Sequence, residues 1–149
     1  MENFMKLEIA AVGDNESFAR SAVAAFALPL NPSLSELSDI KTAVSEAVTN
    51  CIVHAYGKGE GKILIECRIE GDGNSGALHI SVTDYGCGIE NVEQAVQPFF
   101  TTQEGEEHSG MGFTIMQTFM SDFSVSSRKG GGTTVRMSKK FDVKDRADA

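Results

Sequence analysis

The stretch DIKTAVSEAVTNCIVHAY, residues 39–56, decides the fold. Leu37, Ile40, Val44, Ala47, Cys51 and Ala55 recur at three- and four-residue steps, the period of one buried helical face. On that helix Glu46, Asn50 and His54 fall at i, i+4 and i+8, a single line bordering the apolar stripe. A carboxylate and an amide at the edge of a core are half-buried polar groups that need partners. Glu-x-x-x-Asn alone also suits a purely structural helix, so its meaning depends on the flanking sequence.

Toward the N-terminus, Met5 to Val12 alternates well enough for an edge strand. Asp14 and Asn15 offer N-caps for a helix to about Leu28, with Phe18, Ala22, Ala25 and Phe26 on its buried side. Arg20 is the only basic residue between Lys6 and Lys41. It reads either as a solvated surface charge or as an anchor for a partner. Pro29 and Pro32 end that helix, and Ser33 or Ser35 starts the organising one, with Glu36 and Asp39 in its first turns.

Toward the C-terminus, Ile63, Ile65, Cys67 and Ile69 alternate with Leu64, Glu66, Arg68 and Glu70, a half-buried strand. Gly71-Asp72-Gly73-Asn74 is turn chemistry before a return strand through Leu78, Ile80 and Val82. Asp84 shares their parity and so faces the core. Either the strand has ended and Asp84 caps a turn, or it accepts a hydrogen bond from something bound. Residues 85–109 are rich in Gly, Glu, Gln and Thr with little periodicity except around Val92 to Val96, and a connection that long is usually functional or mobile. A helix over 110–120 follows, then strands over 123–127 and 133–137, and a charged, frayed tail from Lys139. The order β-α-α-β-β-lid-α-β-β predicts an α+β two-layer sandwich, helices packed on one face of a mixed, mainly antiparallel sheet.

The chain of 149 residues suits one domain, set at residues 1–140 with a tail over 141–149. Its net charge of −8 argues against direct binding to nucleic acid or an anionic membrane. No apolar run approaches the roughly 18 residues of a membrane span, and no signal-peptide pattern opens the chain. Cys51, Cys67 and Cys87 are odd in number and not at zinc-ligand spacing. A cytoplasmic protein is expected.

Three glycine-bearing stretches follow the organising helix: Asp84-Tyr85-Gly86-Cys87-Gly88, Ser109-Gly110-Met111-Gly112 and Gly130-Gly131-Gly132-Thr133. Glycine lets a backbone approach a ligand closely, and helix N-termini present free amides to phosphate. None matches the Walker or dinucleotide fingerprints. Taken in order, E-x-x-x-N, D-x-G-x-G, F-T-T, G-M-G and G-G-T over residues 46–134 resemble the ATP-binding family of gyrase, Hsp90, histidine kinases and MutL. Asn15–Arg20, Val44–Asn50, Phe100–Thr102 and Ser109–Met116 resemble its anti-sigma-F branch, the serine protein kinases of endospore formers.

The resemblance implies a Bergerat fold with an ATP lid over about residues 89–109. It implies that Asn50 supplies a neutral oxygen to Mg²⁺ and that Glu46 is the general base. Asp84 would accept from the adenine amino group, with Gly86 and Gly88 letting the backbone pass the ring and Thr133 assisting there. Ser109, Gly110, Met111 and Gly112 would meet the phosphates. His54 would support packing near the site rather than touch a phosphate. The implied partners are sigma factor F, an anti-anti-sigma protein phosphorylated on serine, and a second copy in a homodimer, with Arg20 as a partner contact. Two departures stand out. Val53 takes the place of the basic residue usual in histidine kinases, and Gln103 and His108 occupy places usually basic in the anti-sigma relatives, in a lid carrying Glu104, Glu106 and Glu107. A kinase for a stress-response sigma factor and a non-catalytic ATP-gated binding module are the alternatives.

Overall fold

The structure, a computed structural model, describes residues 2–55, 60–72, 74–89, 91–97 and 112–142. Five strands form one sheet: β1 (Asn3–Ala10), β2 (Lys62–Gly71), β3 (Ser75–Asp84), β4 (Asp122–Ser127) and β5 (Thr133–Asp142). Their order is β1-β2-β3-β5-β4, so the last strand in sequence inserts between β3 and β4. The expected mixed, mainly antiparallel sheet proves antiparallel at all four of these pairings. Helices α1 (Asp14–Phe26), α2 (Leu34–Asn50), α3 (Val92–Ala95) and α4 (Gly112–Phe119) complete the order.

Strand alternation puts Ile63, Ile65 and Cys67 of β2, Leu78, Ile80 and Val82 of β3, and Val135 and Met137 of β5 on the buried face. They meet Ile40, Val44 and Ala47 of α2 and Met116 of α4 in one core. The other face of the sheet is polar, with pairs such as Lys62–Glu8 at 3.1 Å and Arg68–Glu2 at 3.0 Å. Pairs as exposed as these add little to stability. The α+β two-layer expectation therefore holds, with α2 packed against both α1 and α4.

Two expectations shift. In α1 the buried residues are Ala19, Val23 and Ala24; of those expected on the buried side, Phe26 packs against the core and Ala22 is half-buried, while Ala25 is exposed and Phe18 is 53% exposed. Small side chains let α1 approach α2 closely, so the large residue is the one turned out. Its N-cap is Gly13, without a side-chain cap, while the Asn15 amide donates to the Ala10 carbonyl at 2.9 Å. At the other end, β5 runs on to Asp142 and buries Phe141, so the chain is not frayed from Lys139. Lys139 instead donates to the Phe119 carbonyl at 2.6 Å and to Asp39 at 3.3 Å, tying the end of α4 to α2. Residues 143–149 lie outside the described residues.

Candidate functional site

Helix α2 starts where its chemistry asks it to. Ser33 accepts from the Glu36 N–H at 3.1 Å while Glu36 accepts from the Ser33 N–H at 2.8 Å, a reciprocal capping box. The helix runs to Asn50 and then widens into a π turn over Cys51–Ala55. Such turns mark functional sites in many helices. His54 lies within this π turn, one turn beyond Asn50. The His54 carbonyl accepts from the Cys87 thiol at 3.3 Å.

Glu46 and Asn50 are half-buried on the side that faces α4. A Cβ placed on Gly112 would lie 3.2 Å from Asn50 Nδ2, 3.3 Å from Asn50 Oδ1 and 3.3 Å from Glu46 Oε2. The first residue of α4 thus abuts both polar groups, and any side chain there would crowd them. Two motifs separated by more than sixty residues meet at this point. The opening N–H groups of a helix have no intrahelical acceptor and carry the positive end of its dipole. Ser109, Gly110 and Met111 lie outside the described residues, as do Gln103 and His108.

Asp84 closes the other end. It is the last residue of β3, paired with Ile63 on one side and Thr133 on the other. The residue is 5% exposed. Oδ1 accepts from the Gly86 N–H at 3.0 Å and the Thr133 N–H at 3.2 Å. Burial raises the carboxyl's pKa above the ordinary value, against the opposing pull of the bonds from Gly86 and Thr133. Both readings of Asp84 from the sequence therefore hold in part: it caps a turn and is also a buried acid on the core face.

The remaining predicted residues cluster around it. Gly86 sits where a Cβ would strike the Ala55 carbonyl of the π turn, and the Cys87 N–H donates to that carbonyl at 3.0 Å. Gly88, at φ +76°, lies against the Arg128 carbonyl of the β4–β5 turn. Both glycines are thus required by contacts within the protein itself. Thr133 reaches Asp84 through its N–H, and its hydroxyl shares a 2.7 Å hydrogen bond with that of Ser127. Ser127 also accepts from the Ile89 N–H at 2.7 Å and donates to the Gly132 carbonyl at 3.0 Å. Sequence reasoning passed over Ser127, although it continues the inward parity of Phe123 and Val125 just as Asp84 continues that of Val82.

Arg20 stands apart from this pocket but is joined to α2. Its guanidinium lies 3.4 Å from Glu16 and 3.5 Å from the Ser45 hydroxyl, and Thr49 donates to Glu16 at 3.0 Å. Ser45 and Thr49 immediately precede Glu46 and Asn50. Arg20 is thus neither a loose surface charge nor a site group, and its side chain remains 38% exposed.

Comparison with known proteins places this arrangement. The profile of the histidine kinase-like ATPase domain matches residues 10–139. The anti-sigma F factor of Thermoanaerobacter sp. (strain X514) is 53% identical over 92% of this chain and 93% of its own length. That of Caldanaerobacter subterraneus subsp. tengcongensis is 54% identical over the same shares, 92% and 93%. That of Clostridium beijerinckii is 48% identical over 95% and 97%. A crystal structure of the RsbU and RsbW domains of a Mycobacterium tuberculosis protein superposes with a TM-score of 0.61 at 18% identity, covering 94% of this chain and 33% of that one. At that identity the likeness concerns the fold, and here it is the Bergerat fold that the motif order implies. Site geometry, domain match and near-full-length identity agree: the chain belongs to the anti-sigma F factor family, within the histidine kinase-like ATPase domains.

Proposed function

We propose that this protein is an ATP- and Mg²⁺-dependent serine protein kinase that binds and inhibits the sporulation sigma factor F and phosphorylates the anti-anti-sigma antagonist. The observation that carries it is the convergence of Glu46, Asn50 and the start of α4 at one point, with the buried Asp84 carboxylate at the other end. Asp84 accepts a hydrogen bond from the adenine amino group, with Gly86, Gly88 and Thr133 shaping its surroundings. Asn50 offers its amide oxygen as the one protein ligand to Mg²⁺, which prefers phosphate and water for the rest. When bound, Mg²⁺ balances the charge of the triphosphate.

The amides of Gly110, Met111 and Gly112, preceded by Ser109, line the phosphate end. Glu46 takes the proton of the partner's serine hydroxyl as that oxygen bonds to the γ-phosphorus and the bond to the ADP oxygen breaks. Arg20, held partly exposed on α1, contacts the protein partners, and the working unit is a homodimer. Among the described residues no helix is long and apolar enough to cross a membrane.

The test is transfer of labelled γ-phosphate from Mg-ATP to the anti-anti-sigma protein, wild type beside Glu46→Ala. Label on serine with wild type alone, ATP affinity being equal in both, is the expected result. Transfer that survives Glu46→Ala removes Glu46 as the base. ATP binding without transfer by wild type leaves the nucleotide-gated binding module, in which case the acidic lid over Glu104, Glu106 and Glu107 is the first place to look.

A further inference from the structure

Two rows across the middle of the sheet's inner face are apolar: Cys67, Ile80, Met137 and Phe123, then Ile65, Val82, Val135 and Val125. The next row toward the nucleotide end runs Ile63, Asp84, Thr133, Ser127. Three polar side chains stand there in place of aliphatic ones, and each needs partners. The Ser127 hydroxyl is the one whose bonds are all determined. It has one proton and two lone pairs. The Ile89 N–H, 2.7 Å away, can only donate to it, and the Gly132 carbonyl, 3.0 Å away, can only accept from it. The Ser127 proton is thereby committed, so the 2.7 Å bond with Thr133 is donated by the Thr133 hydroxyl. Thr133 Oγ1 is left with lone pairs and no proton for anything else. Its N–H is directed to Asp84 Oδ1 at 3.2 Å.

We propose that Ser127 is a positioning residue for base selection. By taking the Thr133 proton it makes the Asp84–Thr133 pair an acceptor only. The pair then receives a base with an amino group at C6 and refuses one with a carbonyl there. The inference rests on the reading of Asp84 and Thr133 as the adenine end of the site. A carbonyl oxygen at C6 would meet a carboxylate and a hydroxyl lone pair with no proton between them, and a buried acceptor without a donor is costly. Without Ser127 the Thr133 O–H turns to suit its surroundings and can donate to such an oxygen. The competing role of Ser127 is a structural tie between Ile89 and the β4–β5 turn, which would serve all nucleotides alike.

The experiment measures Mg²⁺-dependent binding of ATP and of inosine 5′-triphosphate, which carries a carbonyl at C6, by calorimetry. It uses the full chain as wild type, Ser127→Ala, Thr133→Val and the double variant. Wild type is expected to prefer ATP. Ser127→Ala should narrow that preference by roughly threefold to tenfold, the share of one hydrogen bond. With Thr133→Val there is no hydroxyl to orient, and adding Ser127→Ala should leave the preference unchanged within about twofold. Ser127→Thr keeps a hydroxyl and should keep the wild-type preference. An equal change for both nucleotides in Ser127→Ala, or the same narrowing in the Thr133→Val background, makes Ser127 a structural tie and overturns the inference. Equal affinity of wild type for both nucleotides overturns the reading of Asp84 itself, and this inference with it. Ser127→Cys, close in shape but a weak acceptor, carries the same comparison if Ser127→Ala melts below the assay temperature.

Discussion

Gly112→Ala isolates the geometry of the catalytic end without touching a charged group. The added methyl would stand 3.2–3.3 Å from three atoms of Asn50 and Glu46, where ordinary contact begins at 3.4 Å. Relief requires α4 to retreat, or the two side chains to move, by a few tenths of an ångström. Misplacing reacting groups by about 1 Å costs on the order of 100-fold in rate, so a shift of this size should cost roughly threefold to tenfold. Folding should not suffer in step, because alanine favours the helical state over glycine by up to about 1 kcal/mol. The assay pairs single-turnover transfer of labelled γ-phosphate with thermal melting of the same preparation. The expected result is slower transfer at an unchanged or higher Tm. Transfer at the wild-type rate would refute the argument that α4 must approach Glu46 and Asn50 this closely. A Tm that falls along with the rate would mean that the contact serves packing rather than chemistry.

Arg20→Glu places a carboxylate beside Glu16 and should weaken binding of the protein partners by at least roughly tenfold, with ATP affinity within twofold; loss of both together signals misfolding. Lys139→Met removes charge-assisted bonds to Phe119 and Asp39 and should lower unfolding stability in urea by about 2 kcal/mol, whereas a loss below roughly 0.5 kcal/mol would show that the bonds contribute little. Asp84→Asn tests the sign of a buried charge. Because the folded pKa of Asp84 is raised, its ionisation opposes folding, and stability falls as pH rises from the ordinary carboxylate value through the folded one. Asp84→Asn should therefore melt higher than wild type at neutral pH, the gap closing in acid where Asp84 is protonated, while ATP affinity drops; a gap independent of pH would remove the charge as its cause.

What could be read beforehand was what periodicity encodes. The stripe on α2, the alternation in β2 and the inward parity of Asp84 each follow from a fixed repeat, and each is where the structure puts it. Departures came where the repeat or the residue scale changes. In α1 the buried positions are Ala19, Val23 and Ala24, so ranking by hydrophobic size misplaced Phe18, although Phe26 does pack on the core. At Cys51 the helix takes on extra backbone per turn, which no pattern of side chains announces. In β5 the polarity of Lys139 and Lys140 masks a strand whose inward residue two places on is Phe141. The meeting of Gly112 with Glu46 and Asn50 is a contact at long sequence separation, legible only through the resemblance of the whole motif order.

The insertion of β5 between β3 and β4 has a bearing on how the protein is made. Asp84 receives one of its backbone donors from Thr133, which leaves the ribosome 49 residues later. At roughly 5–20 residues per second, this separation corresponds to a delay on the order of 2–10 s. Throughout that interval β3 has no β5 to pair with, and Asp84 lacks the Thr133 donor. A half-synthesised chain accordingly has no finished nucleotide site, and any restraint it exerts on a partner begins only once the end of translation has closed the sheet.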